Sequence, residues 1–333
     1  MVRIGVIGAG AIGGALAASL DRAGHDVEVA ARGAQLDAIR TDGLRLDGGW
    51  GEHLARVEAN PALSRVPDLA LVTTKAQDTA AALEGNADLI PAIPLVVVQN
   101  GLGGMTAAHR VLPRSPVLGG LALLAASYLS PGRVTVTNPQ PVVLGVGPES
   151  DDALLERIAG VLGAAFPVET TGDLEGAQWT KLLVNHVNAL PALTDLSVQE
   201  VVSRPRLLRI MASSVLETAL LADRWGVRFA DLMGFEGDTL QAIGRGSGSV
   251  AAAEDFLRAL AGKMGDVPNP ASTLQSIRRG QQTEIDFLNG AVVAAARERG
   301  LDAPLNAALV DLVHEVERSR RFLTEDELIR RLG

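Results

Sequence analysis

The sequence contains no cysteine. That excludes disulfides and thiolate-ligated metal centres, and it fits a reducing compartment. It also contains no block of Lys and Arg, and its net charge is −9. Such a chain lacks the electrostatic footprint for nucleic acid or an anionic membrane surface, although anions can still bind locally. No stretch of about 18 uninterrupted apolar residues occurs, so no transmembrane helix is expected. The apolar start MVRIGVIGAGAIGGALAASL resembles a signal sequence in composition, but glycines interrupt it and a folded domain has a better use for it. A cytoplasmic globular protein is the expectation.

What is present is ample core. The chain has 333 residues, 47% of them hydrophobic, enough for two domains of ordinary size. In the first half, short β-branched or apolar runs at 2–7, 27–31, 69–73 and 95–98 alternate with helical patterns such as the small-residue run 11–23. Apolar runs without alternation fit parallel strands covered on two faces, and strands spaced by helices predict a doubly wound α/β sheet. Between 115 and 147 short strand-like runs with Ser130-Pro131-Gly132 and Asn138-Pro139 turns read as the far edge of that sheet, partly antiparallel. After Thr171-Gly172 strand signals almost vanish and helical patterns run to the end. The expected organisation is a Rossmann-type domain over 1–172 and an all-α domain over 173–333. Segments 244–249 and 265–270 read as loops between helices.

Gly8-Ala9-Gly10-Ala11-Ile12-Gly13 places G-x-G-x-x-G directly after the first strand and at a helix start. The first glycine allows a tight turn, the second lets backbone approach a pyrophosphate, and the third lets helix pack on strand. The helix N-terminus then offers free N–H groups to phosphate. The second strand ends in Ala30-Ala31 and is followed by Arg32, with no acid to accept from a ribose 2′-hydroxyl. Glu28 lies too early on the strand. Arginine there suits a 2′-phosphate, so the expected cofactor is NADP(H). Two further loops follow parallel strands. Thr74-Lys75-Ala76-Gln77-Asp78 carries Lys75, a candidate for a phosphate or a substrate carboxylate, and Gln77, a further candidate cofactor contact. Gln99-Asn100-Gly101 carries Asn100, a candidate for the nicotinamide or a reacting carbonyl.

In the helical half, Lys181, Asn185 and Asn188 share one face of a continuous helix, at spacings i, i+4 and i+7, with i+7 returning to within about 20° of i. Lysine by default faces water. Here Leu182, Leu183, Val184 and Val187 make the flanks too apolar for a surface helix, and the stripe reads as polar groups aimed into a cleft. His186 points elsewhere, with no second ligand at metal spacing, so no metal is expected. In ASTLQSIRRGQQTEIDFLNG, Ser272 lies near a helix start, where capping is its ordinary role. Glu284 would stand about 120° from it on a straight helix, unless Gly280 breaks the segment. Glu284 could otherwise pair with Arg278 or Arg279.

GVIGAGAIGG, TTKAQDT, QNGLGG, KLLVN and ASTLQSIRRGQQTEID occur in this order, and together they resemble the ketopantoate reductases (2-dehydropantoate 2-reductases) over nearly the whole chain. The resemblance implies a Rossmann domain followed by a helical domain like the C-terminal one of 6-phosphogluconate dehydrogenase. It implies NADPH-dependent reduction of 2-dehydropantoate to (R)-pantoate in pantothenate synthesis; the many apolar helices of the second half are separately expected to supply a homodimer surface. Lys181 matches the general acid, and Glu284 the glutamate that binds substrate hydroxyl and orders the lysine. Asn185 and Ser272 match ligands of the hydroxyl end and the carboxylate, Asn100 the residue bridging nicotinamide and substrate, and Arg32 the 2′-phosphate contact. The family's second asparagine falls eight residues after the lysine, where this chain has Ala189. Asn188 stands one earlier and is expected to substitute as a substrate ligand. Segment 225–267 has no counterpart that can be aligned. Rival readings are a reductase of another branched 2-oxo acid and a cofactor-binding sensor without turnover.

Overall fold

A computed structural model describes residues 1–246 and 248–332. Ser247, within the expected loop 244–249, and Gly333, the end of the expected second domain, lie outside the described residues. The chain divides into two compact units, Met1–Leu174 and Glu175–Gly333.

The first unit contains twelve strands. They are β1 (Arg3–Ile7), β2 (Asp26–Ala30), β3 (Leu44–Gly48), β4 (His53–Ala55), β5 (Glu58–Asn60), β6 (Leu69–Val72), β7 (Leu95–Val98), β8 (Val117–Ala122), β9 (Ala125–Ser130), β10 (Arg133–Asn138), β11 (Val142–Val146) and β12 (Val168–Thr170). Eight form one sheet in the order β12-β11-β8-β7-β6-β1-β2-β5, parallel throughout except where β11 meets β8. This is the expected doubly wound sheet, its central strands buried on two faces as their unbroken apolar runs require.

The region 115–147 corrects the expectation of a single far edge. β8 and β11 do extend the main sheet, but β9 and β10 leave it and join β3 and β4 in a second, four-stranded sheet of order β4-β3-β10-β9. The cause is a helix that needs cover. Helix Ala11–Arg22 is buried continuously from Gly13 to Leu20 because the main sheet lies against one side and the second sheet against the other. Space between two sheets explains its small residues: a Cβ added to Gly14 would come 2.9 Å from Val134 Cγ1. β5 was also not anticipated. It extends the sheet past β2, and buried Glu28 fixes the loop beyond it by accepting from Ser64 N (2.6 Å), Arg65 N (3.2 Å) and Asn60 Nδ2 (3.0 Å).

In the helical unit, the 20-residue helix Pro205–Arg224 is the spine. The segment that resisted alignment folds onto it as helices Gly237–Gly244 and Val250–Lys263. Gly244 is required there, since a Cβ would sit 2.2 Å from Ala219 O. Gly265–Pro270 is irregular, as its composition predicts.

His186 ties this unit together. Its Nδ1 lies 2.8 Å from Ser214 Oγ and its Nε2 2.9 Å from Thr218 Oγ1, two groups on the spine. Ser214 Oγ and Asn289 Nδ2 each donate to Asn306 Oδ1 at 2.8 Å. Asn306 Nδ2 donates to Glu217, whose carboxylate also accepts the Leu305 and Asn306 N–H groups opening helix Pro304–Ser319. Burial lowers the His186 pKa to about 3, so the ring is neutral at pH 7.

An acid sensitivity follows. Between pH 6.5 and about 3 the unfolded chain protonates this histidine while the folded chain does not, so stability falls as pH falls through that window. The contribution approaches about 1.4 kcal/mol per pH unit. Denaturant unfolding of wild type and His186→Asn between pH 4.5 and 6.5, a range of about two units, should show a shallower slope in the variant; equal slopes would exclude this histidine as the cause.

Candidate active site

The glycine loop leaves β1 at Ile7, and each glycine answers a different constraint. Gly8 has φ +106°, and a Cβ there would lie 2.8 Å from Thr74 N. A Cβ on Gly13 would fall 1.9 Å from Gly8 O and 2.2 Å from Thr73 Oγ1. Gly10 faces open space, with nothing within 4 Å of a Cβ position. That opening stands at the N-terminus of helix Ala11–Arg22, which has no side-chain cap, so first-turn N–H groups around Ala11 and Ile12 are left for an anion. The loop therefore fits a dinucleotide pyrophosphate.

Two residues that the motif does not specify hold the loop. Thr73 Oγ1 donates to Gly8 O at 2.6 Å. Gln35 Nε2 donates to Ala9 O at 2.8 Å, while its Oε1 accepts from Gly132 N in the β9–β10 turn at 2.7 Å. Spacing carries no signal for either, because their partners are distant in the chain.

Arg32 follows β2 as the extended N-cap of helix Gly33–Asp42 and is exposed. Glu28 is committed to the Ser64-Arg65 loop, so no acid competes with Arg32 at this strand end. Lys75 and Gln77 occupy the half-buried loop and 3-10 turn after β6, and Asn100 the loop after β7. Gln99 Nε2 joins these two loops by donating to Thr74 O at 2.9 Å, and Gly101 at φ +79° bends the chain past Asn100. Gly8–Gly13, Arg32, Lys75, Gln77 and Asn100 thus gather at the carboxyl ends of four adjacent strands, where sheets of this kind bind ligands.

In the helical unit, Lys181 is only 9% exposed, on helix Leu174–Asn185 among buried Trp179, Leu182, Leu183 and Val184. The neighbouring Thr180 donates to Ala230 O at 2.8 Å, and Trp179 meets Trp225 edge-on at 5.7 Å, so segment 225–267 buttresses this helix. Burial lowers the Lys181 pKa to about 8, partly opposed by the charge of Glu284. The Asn185 Nδ2 is buried with no protein partner, an orphan donor one turn from the amine.

Asn188 departs from expectation. The helix ends at Asn185, a 3-10 turn spans His186–Asn188, and a new helix runs Ala189–Thr194, so the i+7 argument for a shared face does not apply. The buried Asn188 Oδ1 instead accepts from Ser272 N and Ser272 Oγ at 2.9 Å each, and from Thr273 N at 3.3 Å. It caps helix Ala271–Arg278 from outside, while its Nδ2 donates to Asn185 O at 2.9 Å. Ser272 is consequently capped rather than capping. Its approach loop is held by Gln199, which donates to Gly265 O and Val267 O and accepts from Asn269 N.

Gly280, at φ +70°, ends the Ser272 helix segment, and Glu284 follows just before the 3-10 turn Ile285–Phe287. Arg278 is taken by Asp195 at 2.7 Å. The helical unit therefore brings together an amine, a carboxylate that acts on its charge, an unsatisfied amide donor and an Asn188-held hydroxyl. Such a set can donate a proton to an oxygen on which negative charge develops.

Comparison with known proteins agrees across the two units. Residues 4–149 match the family model "Ketopantoate reductase PanE/ApbA", and residues 173–317 match "Ketopantoate reductase PanE/ApbA C terminal". The 2-dehydropantoate 2-reductase of Archaeoglobus fulgidus is 30% identical over 320 residues, covering 95% of this chain and 98% of that one. That of Pyrococcus horikoshii is 27% identical, with coverages of 95% and 98%. Among solved structures, the PanE/ApbA family ketopantoate reductase from Ralstonia eutropha JMP134 aligns with TM-score 0.81 at 28% identity, covering 96% of this chain and 99% of that chain. D-mandelate dehydrogenase with NADH and anilino(oxo)acetate aligns at 0.82 with 21% identity, over 95% and 99% of the two chains, a likeness of fold. The chain belongs to the ketopantoate reductase family and is an oxidoreductase of that type, acting on a small-molecule substrate.

Proposed function

We propose that this chain reduces the oxo group of 2-dehydropantoate to the hydroxyl of (R)-pantoate, with Lys181 as general acid. The cofactor is NADP(H), and the chemistry it supplies is hydride delivery to the oxo carbon. The observation that carries the reading is a buried ammonium, Lys181, whose charge is supported by Glu284. As the oxo oxygen gains negative charge, the ammonium stabilises it and transfers its proton; scarce water makes that interaction stronger than it is in bulk. Glu284 keeps the amine protonated to higher pH and takes the substrate hydroxyl. Asn185 offers its orphan amide N–H to the substrate, and Ser272 takes the carboxylate.

Gly8, Ala9, Gly10, Ala11, Ile12 and Gly13 hold the pyrophosphate. Arg32 takes the 2′-phosphate through charge-assisted bonds, and Lys75, Gln77 and Asn100 complete the cofactor contacts, with Asn100 also at the substrate. Asn188 supports Ser272 rather than the substrate. We assign a homodimer built on the apolar helices and a cytoplasmic setting; among the described residues no helix is long and apolar enough to cross a membrane.

One observation favours a second reading, reduction of a different branched 2-oxo acid. Asn188 spends its amide oxygen on helix Ala271–Arg278, and Ala189 is buried and apolar, so the site has one amide fewer than the family pattern. Steady-state kinetics with 2-dehydropantoate, 2-oxoisovalerate and benzoylformate decide between the two. The primary reading expects the highest kcat/KM for 2-dehydropantoate, and a clear preference for a competitor would replace it.

Replacing Lys181 by Ala should lower kcat by about 10²- to 10⁴-fold with NADPH affinity retained, measured by fluorescence titration. Because the protonated amine is the acid, kcat/KM for reduction should fall as pH rises through about 8, and Glu284→Gln should move that limb to lower pH. A flat profile to pH 10, about two units higher, would contradict the assignment. Arg32→Ala should raise KM for NADPH by about 10- to 100-fold and leave KM for NADH nearly unchanged; equal losses would mean that this arginine does not read the 2′-phosphate.

A further inference from the structure

Glu284 is the least anchored member of the site by its own local structure. Helix Ala271–Arg278 has already ended, Gly280 has turned the chain at φ +70°, and Glu284 itself lies outside regular helix at φ −104°, ψ 21°. Within its turn, Phe287 N donates to Glu284 O at 2.9 Å, Leu288 N to Ile285 O at 3.1 Å and Ile285 N to Thr283 Oγ1 at 3.3 Å. A carboxylate that works beside Lys181 must have its backbone held in place.

The support comes from helix Pro304–Ser319, in the same unit. Glu317 Oε1 accepts from Thr283 N at 2.6 Å, immediately before Glu284. Glu317 Oε2 meets His314 Nδ1 at 2.8 Å, and His314 Nε2 meets Asp286 Oδ1 at 3.0 Å, two residues after Glu284. Glu317 is only 14% exposed, so the contact is not a solvated surface pair. We propose that His314 and Glu317 are positioning residues for Glu284, clamping the turn Thr283–Asp286 at its two ends and so holding Glu284 in register with Lys181. The inference rests on the reading that Glu284 works with Lys181.

The clamp is strongest with a doubly protonated ring, since an imidazolium donates to two carboxylates and a neutral ring to one. The charged groups acting on His314 are Glu317 on its own helix and Asp286 from the turn, and they raise its pKa against the opposing effect of burial. Glu317 and His314 act on Thr283 N and Asp286, so the effect travels through the backbone of 283–286.

The test uses the full-length enzyme with 2-dehydropantoate and NADPH. His314→Leu and Glu317→Leu should each lower kcat/KM for the oxo acid by about 10- to 100-fold and move the alkaline limb of the pH profile to lower pH, as Glu284 loses its hold beside Lys181. NADPH affinity by fluorescence titration should stay at the wild-type value. Glu317→Gln keeps an oxygen for Thr283 N and should recover most of the loss. Wild-type kcat/KM and an unmoved limb in the two leucine variants overturn the proposal, and so does a loss of activity in which the limb stays put and Glu317→Gln restores nothing. If the leucine variants do not fold, Asp286→Asn, which preserves shape and removes one charge, must still move the limb, or the proposal fails. Glu284→Gln run alongside separates the two levels. Unimpaired Glu284→Gln refutes the role given to Glu284, whereas impaired Glu284→Gln with unimpaired clamp variants refutes the clamp alone.

Discussion

The helical half of the site depends on one side-chain oxygen, Oδ1 of Asn188. By accepting from Ser272 N, Ser272 Oγ and Thr273 N it joins the segment carrying Lys181 and Asn185 to the segment carrying Ser272. The 3-10 turn at His186–Asn188 makes this possible, because it redirects the chain directly after Asn185. The same turn sends His186 the other way, into the spine, where Ser214, Thr218 and Asn289 surround it. The two polar residues at the ends of this turn thus serve different partners, the spine and helix Ala271–Arg278. The His186 ring and Asn188 Oδ1 are satisfied by partners far along the sequence, which is what allows them to be buried there.

The nucleotide-binding unit follows a different principle. Its functional atoms are mostly backbone, and what the sequence supplies is room. Gly8 and Gly13 are glycines because neighbouring backbone occupies the space a Cβ would need, and Gly10 because the space must stay open. Thr73 and Gln35 then fix carbonyls of the loop that no side chain of the motif itself can reach. Among the expected cofactor contacts the charged side chains are Arg32 and Lys75, which follow β2 and β6, while Glu28 is withdrawn into the β5 connection.

Features with a short-range cause were legible in the sequence. Unbroken apolar runs gave the parallel strands, the glycine spacing gave the turn into the first helix, and the Lys181 segment was too apolar to be a surface helix. The resemblance of the KLLVN and TEID segments carried the roles that spacing alone left open. Features with a long-range cause were not legible. A helical wheel assumes a continuous helix, and the turn at His186–Asn188 invalidates it for Asn188 alone, while the Lys181 to Asn185 spacing holds. β9 and β10 look like any short strands, and their transfer to a second sheet is decided by the exposed side of helix Ala11–Arg22. Glu317 and His314 carry no motif, and their meaning comes only from lying opposite Thr283 and Asp286.

Helix Ala11–Arg22, enclosed between two sheets, has a consequence for redesign. Its buried face and the phosphate-binding loop are parts of one packed object, so a change that enlarges any residue from Gly13 to Leu20 disturbs core and cofactor loop together. Substitutions within Gly13–Leu20 therefore cannot alter the glycine loop separately from foldedness. Gly10, which faces open space, and Arg32, an exposed side chain, lie outside that packed layer. With Arg32 in its proposed role at the 2′-phosphate, preference between the two nicotinamide dinucleotides is a property that selection or engineering can adjust without reopening the core.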